Sequence, residues 1–362
     1  MSNRNGYHNT IVIGGGQAGL VTGYYLKQRG TDFTILDASE RIGDAWRKRW
    51  DSLRLFTPAR YNELPGMPFP ATADTFPKKD QMADYLESYA ARFELPVQSG
   101  VRVDRLAKTG ELFLVAAGEQ RLEAANVVVA MGTFQDAWVP DFAPELDPGI
   151  LQMHSSDYRN LSQLRDGPVL VVGAGNSGAE IGLEVAGEHP MWLSGRNVGE
   201  VPFRIETAVA RRFWIPFVLR FLFHHVFTVD TPIGRRMRPQ VLAHSLPLVR
   251  VKSRDLTAVG IERVPRTTGV RDGLPVVGDG RMLEPANVIW CTGFRPGFSW
   301  IDLPIFGGEK EPREPEHERG FVADVPGLYF VGLFFLYAVS SGLVLGLARD
   351  AKYVVEHLAS RR

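Results

Sequence analysis

Two stretches of this chain repeat one pattern, and no other feature narrows the choice of fold so far. Residues 10–36 read TIVIGGGQAGLVTGYYLKQRGTDFTIL, and residues 168–197 read PVLVVGAGNSGAEIGLEVAGEHPMWLSGRN. Each holds an apolar run, a glycine turn, a helix-length segment and a second apolar run. Gly14, Gly16 and Gly19 in the first stretch, and Gly173, Gly175 and Gly178 in the second, keep the spacing G-x-G-x-x-G. The first glycine makes the tight turn, the second lets the backbone approach a pyrophosphate, and the third lets helix and strand pack closely. The phosphates then sit at the helix N-terminus. The glycine spacing alone is a weak signal. In register with strand, helix and strand it points to a dinucleotide-binding unit. The expected fold is therefore α/β, with two Rossmann-like dinucleotide-binding domains.

The residues that follow each second strand distinguish the two units. Asp37 closes the first, at the acidic position that holds ribose hydroxyls. The second reads Ser194-Gly195-Arg196 there. A guanidinium suits a 2′-phosphate, which a carboxylate would repel. FAD is expected in the first unit and NADPH in the second; the alternative is that one unit persists as scaffold without a ligand. The candidate contacts to FAD are Gly14, Gly16, Gln17, Ala18, Gly19 and Asp37. Those to NADPH are Gly173, Gly175, Asn176, Ser177, Gly178, Ser194 and Arg196.

Composition removes several classes. The 362 residues leave room for two or three domains with real cores. Lys plus Arg and Asp plus Glu are 41 each, so no net field recruits nucleic acid. Cys291 is the single cysteine, so no internal disulfide can form. Flavin disulfide reductases share the two-dinucleotide plan but need a redox pair. The polar N-terminus runs straight into a strand without a signal peptide, which makes the cytoplasm the expected location. Residues 325–348 are uncharged and long enough to span a bilayer. Pro326-Gly327 and Ser340-Ser341-Gly342 divide them, so a buried strand, a loop and a helix over 341–359 are expected instead of a span.

Between these landmarks, residues 40–70 (ERIGDAWRKRWDSLRLFTPARYNELPGMPFP) form a long irregular stretch directly after a dinucleotide unit, a place that is more often functional than idle. Residues 80–93 read as an amphipathic helix capped by Asp80, and residues 97–103 and 112–116 as strands. The apolar run 127–130 suits a strand returning to the first sheet. Residues 140–148, with three prolines, read as a linker. Residues 288–290 followed by Cys291-Thr292-Gly293 repeat the ending of Ala130–Thr133, and mark the expected return to the first domain. The domain plan is thus 1–145 and 288–362 for FAD, with 146–287 inserted for NADPH. Within the insert, residues 201–239 alternate apolar, arginine and histidine residues at helical spacing around Pro216. The preferred reading is a bent helical element lining a substrate tunnel or an oligomer contact, such as a homodimer; an interfacial membrane helix with peripheral contact and plain core are the others. His224 and His225 lack further ligands, so no metal is expected.

These residues match a known family. VIGGGQAGL (12–20), GDAWRKRWDSLRLFTPARYNELPGMPFP (43–70), HSSDY (154–158), VLVVGAGNSGAEI (169–181), WCTGFRP (290–296) and PGLYFVGL (326–333) together resemble the flavin-containing monooxygenase-like proteins. Similar members are bacterial flavoproteins associated with potassium transport and the plant YUCCA enzymes. The resemblance implies FAD and NADPH, with Trp46 near the flavin, Val103 at the adenine and Gly332 beside the ribityl chain. It implies a flavin hydroperoxide that passes one oxygen atom from dioxygen to a small organic substrate. The cofactors carry that chemistry, so no protein residue is named as acid, base or nucleophile. His154 would help to seat the coenzyme or simply fix the linker. Departures from the family pattern are Pro148 and Ile150 in its fingerprint, Gly43-Asp44 for a glycine pair, and Pro58 where many relatives place asparagine. The alternatives are an NADPH oxidase releasing hydrogen peroxide and a redox-sensing regulatory flavoprotein.

Overall fold

The computed structural model describes residues 6–243, 246–307 and 314–361. The chain begins with β1 (Tyr7–Ile13), turns through the glycines into helix α1 (Gln17–Gln28), and returns as β2 (Phe33–Asp37). Helix α2 (Lys79–Arg92) precedes β3 (Val97–Ser99), and β4 (Arg105–Thr109), β5 (Leu112–Ala117) and β6 (Gln120–Val129) follow. These six strands stand in the order β3-β2-β1-β6-β5-β4.

A second, wholly parallel sheet follows. Its strands are β7 (Leu151–His154), β8 (Val169–Val172), β9 (Met191–Ser194), β10 (Glu262–Val264) and β11 (Asn287–Trp290), in the order β10-β9-β8-β11-β7. Helix α3 (Asn176–Val185) joins β8 to β9. The segment 201–258 contributes α4 (Pro232–Ala243), preceded by two π-type stretches, Ala210–Trp214 and Phe217–Val226. The chain then rejoins the first sheet as β12 (Leu328–Phe330), parallel to β6 at Val127–Val129, and ends in α5 (Val344–Ser360).

The strands that carry the glycine turns are apolar without alternation because both faces are covered. In the first sheet Val12, Ile35 and Val128 face a layer made by α1, α2 and α5. Ile11, Ile13, Val127 and Val129 face Phe298, Ile301 and Val322 on the other side. The second sheet repeats this, with Val169 and Val171 toward α3 and Leu170 and Val172 away from it. Each fully buried aliphatic side chain contributes about 1.5–3 kcal/mol, which fixes the register of both glycine turns.

The two crossings between the sheets run side by side. Asp136–Ala137 pairs antiparallel with Phe294–Arg295, and Trp138 N–H donates to the Gly293 carbonyl at 3.0 Å.

Five expectations need correction. β11 lies between β8 and β7, so the chain leaves the second sheet after Trp290 and a return at 288 is one strand early. α2 begins at Lys79 with Lys78 as its cap residue, and Gln81 accepts the Lys78 N–H at 2.9 Å; Asp80 lies inside the first turn. Val103 is buried but outside any strand, because Gly100 at φ +73° turns the chain and ends β3 at Ser99. Pro216 does not interrupt its helix: it keeps helical dihedrals (φ −57°, ψ −45°), with π-type turns on both sides. In that helix Ala210, Ile215 and Leu219 are buried and Phe213, Trp214 and Phe217 are exposed, so it is neither all core nor all tunnel wall. No helix among the described residues is long and apolar enough to cross a membrane; residues 325–348 hold β12, a loop and the start of α5.

Candidate cofactor site

The two glycine turns are nearly superimposable in their constraints. Gly14 adopts φ +112°, and a Cβ there would meet the Ala130 carbonyl at 2.8 Å; Gly173 adopts φ +114° and faces the Cys291 carbonyl in the same way. A Cβ on Gly19 would strike the Gly14 carbonyl oxygen, and one on Gly178 that of Gly173. These four glycines are demanded by the fold.

The middle glycines are different. Gly16 (φ −74°, ψ −173°) and Gly175 (φ −77°, ψ −170°) have dihedrals open to any residue, and a Cβ on either would have nothing within 4 Å. Each is the cap residue of its helix, where Ser, Asn or Asp would satisfy a free N–H. Neither supplies a side-chain cap, and neither helix has an acidic residue in its first turn. Two positive helix ends are thus left bare beneath open space, which is what an anionic phosphate requires.

The register at the strand ends is set by one bond in each unit. Gly14 N–H donates to the Leu36 carbonyl and Gly173 N–H to that of Ser194, both at 2.8 Å. Ser194 therefore matches core residue Leu36, Gly195 matches Asp37, and Arg196 stands one residue beyond. The Asp37 carboxylate packs on Gly15 and accepts the Ser39 N–H at 2.8 Å. Gly195 packs on Ala174 instead, since a Cβ there would lie 3.0 Å from the Ala174 Cβ. This corrects the place given to Ser194. It is buried, and its hydroxyl bonds Pro265 O (3.0 Å), Thr267 Oγ1 (2.7 Å) and Thr267 N (2.8 Å). Asn176 is likewise committed, donating to Pro247 O (3.0 Å) and accepting from Val249 N (2.9 Å). Arg196 is exposed and has no partner among the described residues. Arg204 pairs with Asp255, Arg238 with Glu314, and Arg235 donates to the Val229 and Asp230 carbonyls, whereas Arg236, like Arg196, is exposed and has no partner among the described residues.

Other expected residues gather at the first turn. Gln17 and Ala18 open α1. Gln17 Oε1 accepts from Trp46 Nε1 at 3.2 Å, so the tryptophan is anchored at the helix end. Gly332 (φ +84°) touches α1, where its Cβ would lie 2.8 Å from that of Ala18. Ser177 sits in the first turn of α3. Val103 packs against the opposite face of the first sheet with Leu36.

Three residues had no signal in the spacing. Asn62 is buried beside Pro58; its amide donates to Thr57 O (2.9 Å) and Pro58 O (3.1 Å), and its oxygen accepts the Thr57 hydroxyl. Arg250 clasps the irregular segment to α3, bonding Leu55 O (2.6 Å) and Glu180 (2.9 Å). Arg49 lies 5.2 Å over the Phe294 ring, and burial lowers its pKa. Arg250 and Arg49 act through contacts between distant segments, which no local pattern encodes, whereas Asn62 closes a local turn on Thr57 and Pro58.

His154 is buried at the crossing. Nδ1 accepts the Ser156 N–H (3.1 Å), and Nε2 bonds the Gly293 carbonyl (3.0 Å). Burial lowers its pKa, which keeps it neutral. The bonds describe a residue that fixes the junction of the two crossings. Burial also pushes the Cys291 thiol up to about 12, a neutral packing group behind Gly173, and Glu180 up to about 7 against the opposing pull of Arg250.

His224, on the second π-type stretch, bonds Ser340 Oγ at 3.1 Å. Burial first, then the Arg349 charge, lowers its pKa from 6.5 to about 4. The folded state thus favours the neutral ring. Its contribution is complete above pH 6.5 and is lost as pH falls toward 4. Thermal melts across that window should show a declining Tm, and His224→Gln should flatten part of the decline. An identical slope in the variant would remove His224 as a source.

The chain has clear relatives. The profile of the pyridine nucleotide-disulphide oxidoreductase family matches residues 11–190. An oxidoreductase of Geobacillus kaustophilus described as CzcO-like is 39% identical over 352 residues, 97% of this chain and 98% of its own. The indole-3-pyruvate monooxygenase YUCCA1 of Oryza sativa is 31% identical over 382 aligned positions, 96% of this chain and 90% of its own. The solved flavin-containing monooxygenase of Stenotrophomonas maltophilia superposes with a TM-score of 0.76 at 27% identity, covering 98% of this chain and 99% of that one.

Proposed function

Since this chain belongs to the family that unites the CzcO-like oxidoreductases with the YUCCA monooxygenases, we propose that it is a flavoprotein monooxygenase, which transfers one oxygen atom from dioxygen to a small organic substrate. It is an NADPH-dependent oxidoreductase, and its cofactors are FAD and NADPH. The observation that carries the reading is the pair of bare helix ends at Gly16 and Gly175. In this reading residues 1–145 and the segment after Trp290 form a Rossmann-like FAD domain, and the intervening residues form a Rossmann-like NADPH domain.

The chain's own residues bind and orient. The turn of Gly14, Gly16 and Gly19, with the first amides of α1 at Gln17 and Ala18, holds the FAD pyrophosphate, and Asp37 the ribose. Trp46, Gly332 and Val103 flank the rest of that cofactor. Gly173, Gly175, Ser177 and Gly178 hold the NADPH pyrophosphate, and Arg196 the 2′-phosphate; Asn176 and Ser194 support this turn from behind. Bound FAD supplies hydride acceptance from NADPH and the activation of dioxygen. His154, neutral and doubly bonded, keeps the junction of the two crossings in one geometry.

Purified protein should be yellow, with one FAD per chain that acid precipitation releases. NADPH should bleach it without oxygen. Under isotopically labelled dioxygen, a screen of amines, thioethers and 2-oxo acids should find label in one product. A protein that FAD cannot turn yellow overturns the cofactor assignment. A second reading, an NADPH oxidase, is supported by one observation: Asn62, the buried asparagine beside Pro58, spends its amide on local bonds, and the resemblance puts Pro58 where many oxygenating relatives place asparagine. Stoichiometric hydrogen peroxide with every substrate would select it.

A further inference from the structure

We propose that the outward face of residues 209–221 docks on an anionic lipid surface. Val209, Phe213, Phe217 and Phe221 recur every fourth residue and are 60%, 66%, 46% and 52% exposed, with Trp214 beside them at 49%. The row is ordered. Phe217 and Phe221 stack at 5.6 Å, and Trp214 stacks on Phe203 at 6.0 Å. The inner face of the same helix is anchored, with Ala210, Ile215 and Leu219 buried and the last two packed with Tyr61 and Ile205. The outward aromatics are therefore held away from the core by a fixed scaffold. A contiguous apolar row of this kind marks an interaction surface.

Charge selects the occupant. The whole chain balances 41 basic against 41 acidic residues, but residues 207–229 hold Arg211, Arg212 and Arg220 and no Asp or Glu. Arg212 and Arg220 are exposed. The Arg220 guanidinium lies 5.7 Å over the Tyr61 ring, and Arg212 has no carboxylate partner among the described residues. Aromatic residues interleaved with arginine are the composition of a helix that lies in the headgroup plane. A second copy of this chain is a poorer fit. A two-fold contact would set this face against itself, opposing arginine to arginine with no carboxylate on the stretch to receive it. Anionic headgroups supply the missing charge. The helix lies on the bilayer; it does not cross it.

The test is co-sedimentation of the holoprotein with vesicles of phosphatidylcholine alone, and of equal parts phosphatidylcholine and phosphatidylglycerol. Binding to the second vesicle only, reversed by raised salt, is expected. Arg212→Gln with Arg220→Gln should lower partitioning about fivefold per arginine. The triple variant Phe213→Ser, Phe217→Ser, Phe221→Ser should remain in the supernatant, with its flavin content and reduction by NADPH unchanged as the control for folding. Failure of the wild-type holoprotein to bind the phosphatidylglycerol vesicles overturns the proposal. So does equal binding to both vesicles, or a dimer by light scattering that the triple variant abolishes while no vesicle is bound.

Discussion

Gly16→Val is expected to give a folded protein that has lost its yellow colour, and Gly175→Val a yellow protein that NADPH no longer reduces efficiently. Neither position has a conformational reason to be glycine, and a Cβ placed on either would meet no protein atom within 4 Å. An isopropyl group would stand over the free amides at the helix start. Losing two charge-assisted bonds, each about 1.5–3 kcal/mol, corresponds to a fall of at least about a hundredfold in cofactor affinity. Circular dichroism melts of Gly16→Val should match those of the flavin-free wild type, and melts of yellow Gly175→Val those of the wild-type holoprotein without NADPH. Gly19→Ala supplies the contrast, because its Cβ would collide with the Gly14 carbonyl and the β1–α1 packing must shift. Full flavin content in Gly16→Val, or a melt as damaged as that of Gly19→Ala, would show that the glycine serves the fold and not the phosphate.

Arg196→Ala is expected to reduce the use of NADPH about ten- to a hundredfold while leaving NADH nearly unchanged, the scale of one guanidinium–phosphate contact. Its guanidinium is exposed and has no partner among the described residues, one residue beyond the position that Asp37 holds in the first unit. Ser194→Ala makes a useful companion. Its hydroxyl serves Thr267 and the Pro265 carbonyl, so stability should fall and coenzyme preference should not change. Anaerobic flavin reduction with each coenzyme measures both. An equal loss with NADPH and NADH in Arg196→Ala would take the arginine out of the phosphate site.

The two variants locate what each level of description contributes. Every strand that carries a glycine turn was legible, because a doubly buried parallel strand has to be a continuous apolar run and VIVI-like segments before G-x-G have few other uses. The same holds for the contrast between acidic Asp37 and basic Arg196 after the two second strands, on which the proposed coenzyme assignment rests. The single cysteine removed disulfide chemistry outright. Strand ends were less legible. β3 stops at Ser99 because Gly100 turns the chain, although apolar residues continue to Val103.

Ser194 shows the limit most clearly. In the sequence it stands beside the phosphate position; a hydrogen bond from Gly173 to its carbonyl places it in the core, level with Leu36. A one-residue change of register reverses which side of a strand a residue faces, and only pairing with neighbouring strands fixes that register. The Arg250–Leu55 and His154–Gly293 bonds likewise join segments far apart in the chain, and their local spacing carries no trace of the partner. The periodicity of residues 209–221 announced a helix, but whether its aromatic row met core, tunnel or solvent depended on what the rest of the chain packed against it. Two glycine-turn units, the charge that follows each second strand and the absence of a cysteine pair followed from the order of residues alone, because backbone sterics and formal charge are local properties. Register, the clasp between the sheets and the exposure of the arginine-bordered row came from the folded chain, because each is a relation between surfaces that meet only once folding is complete.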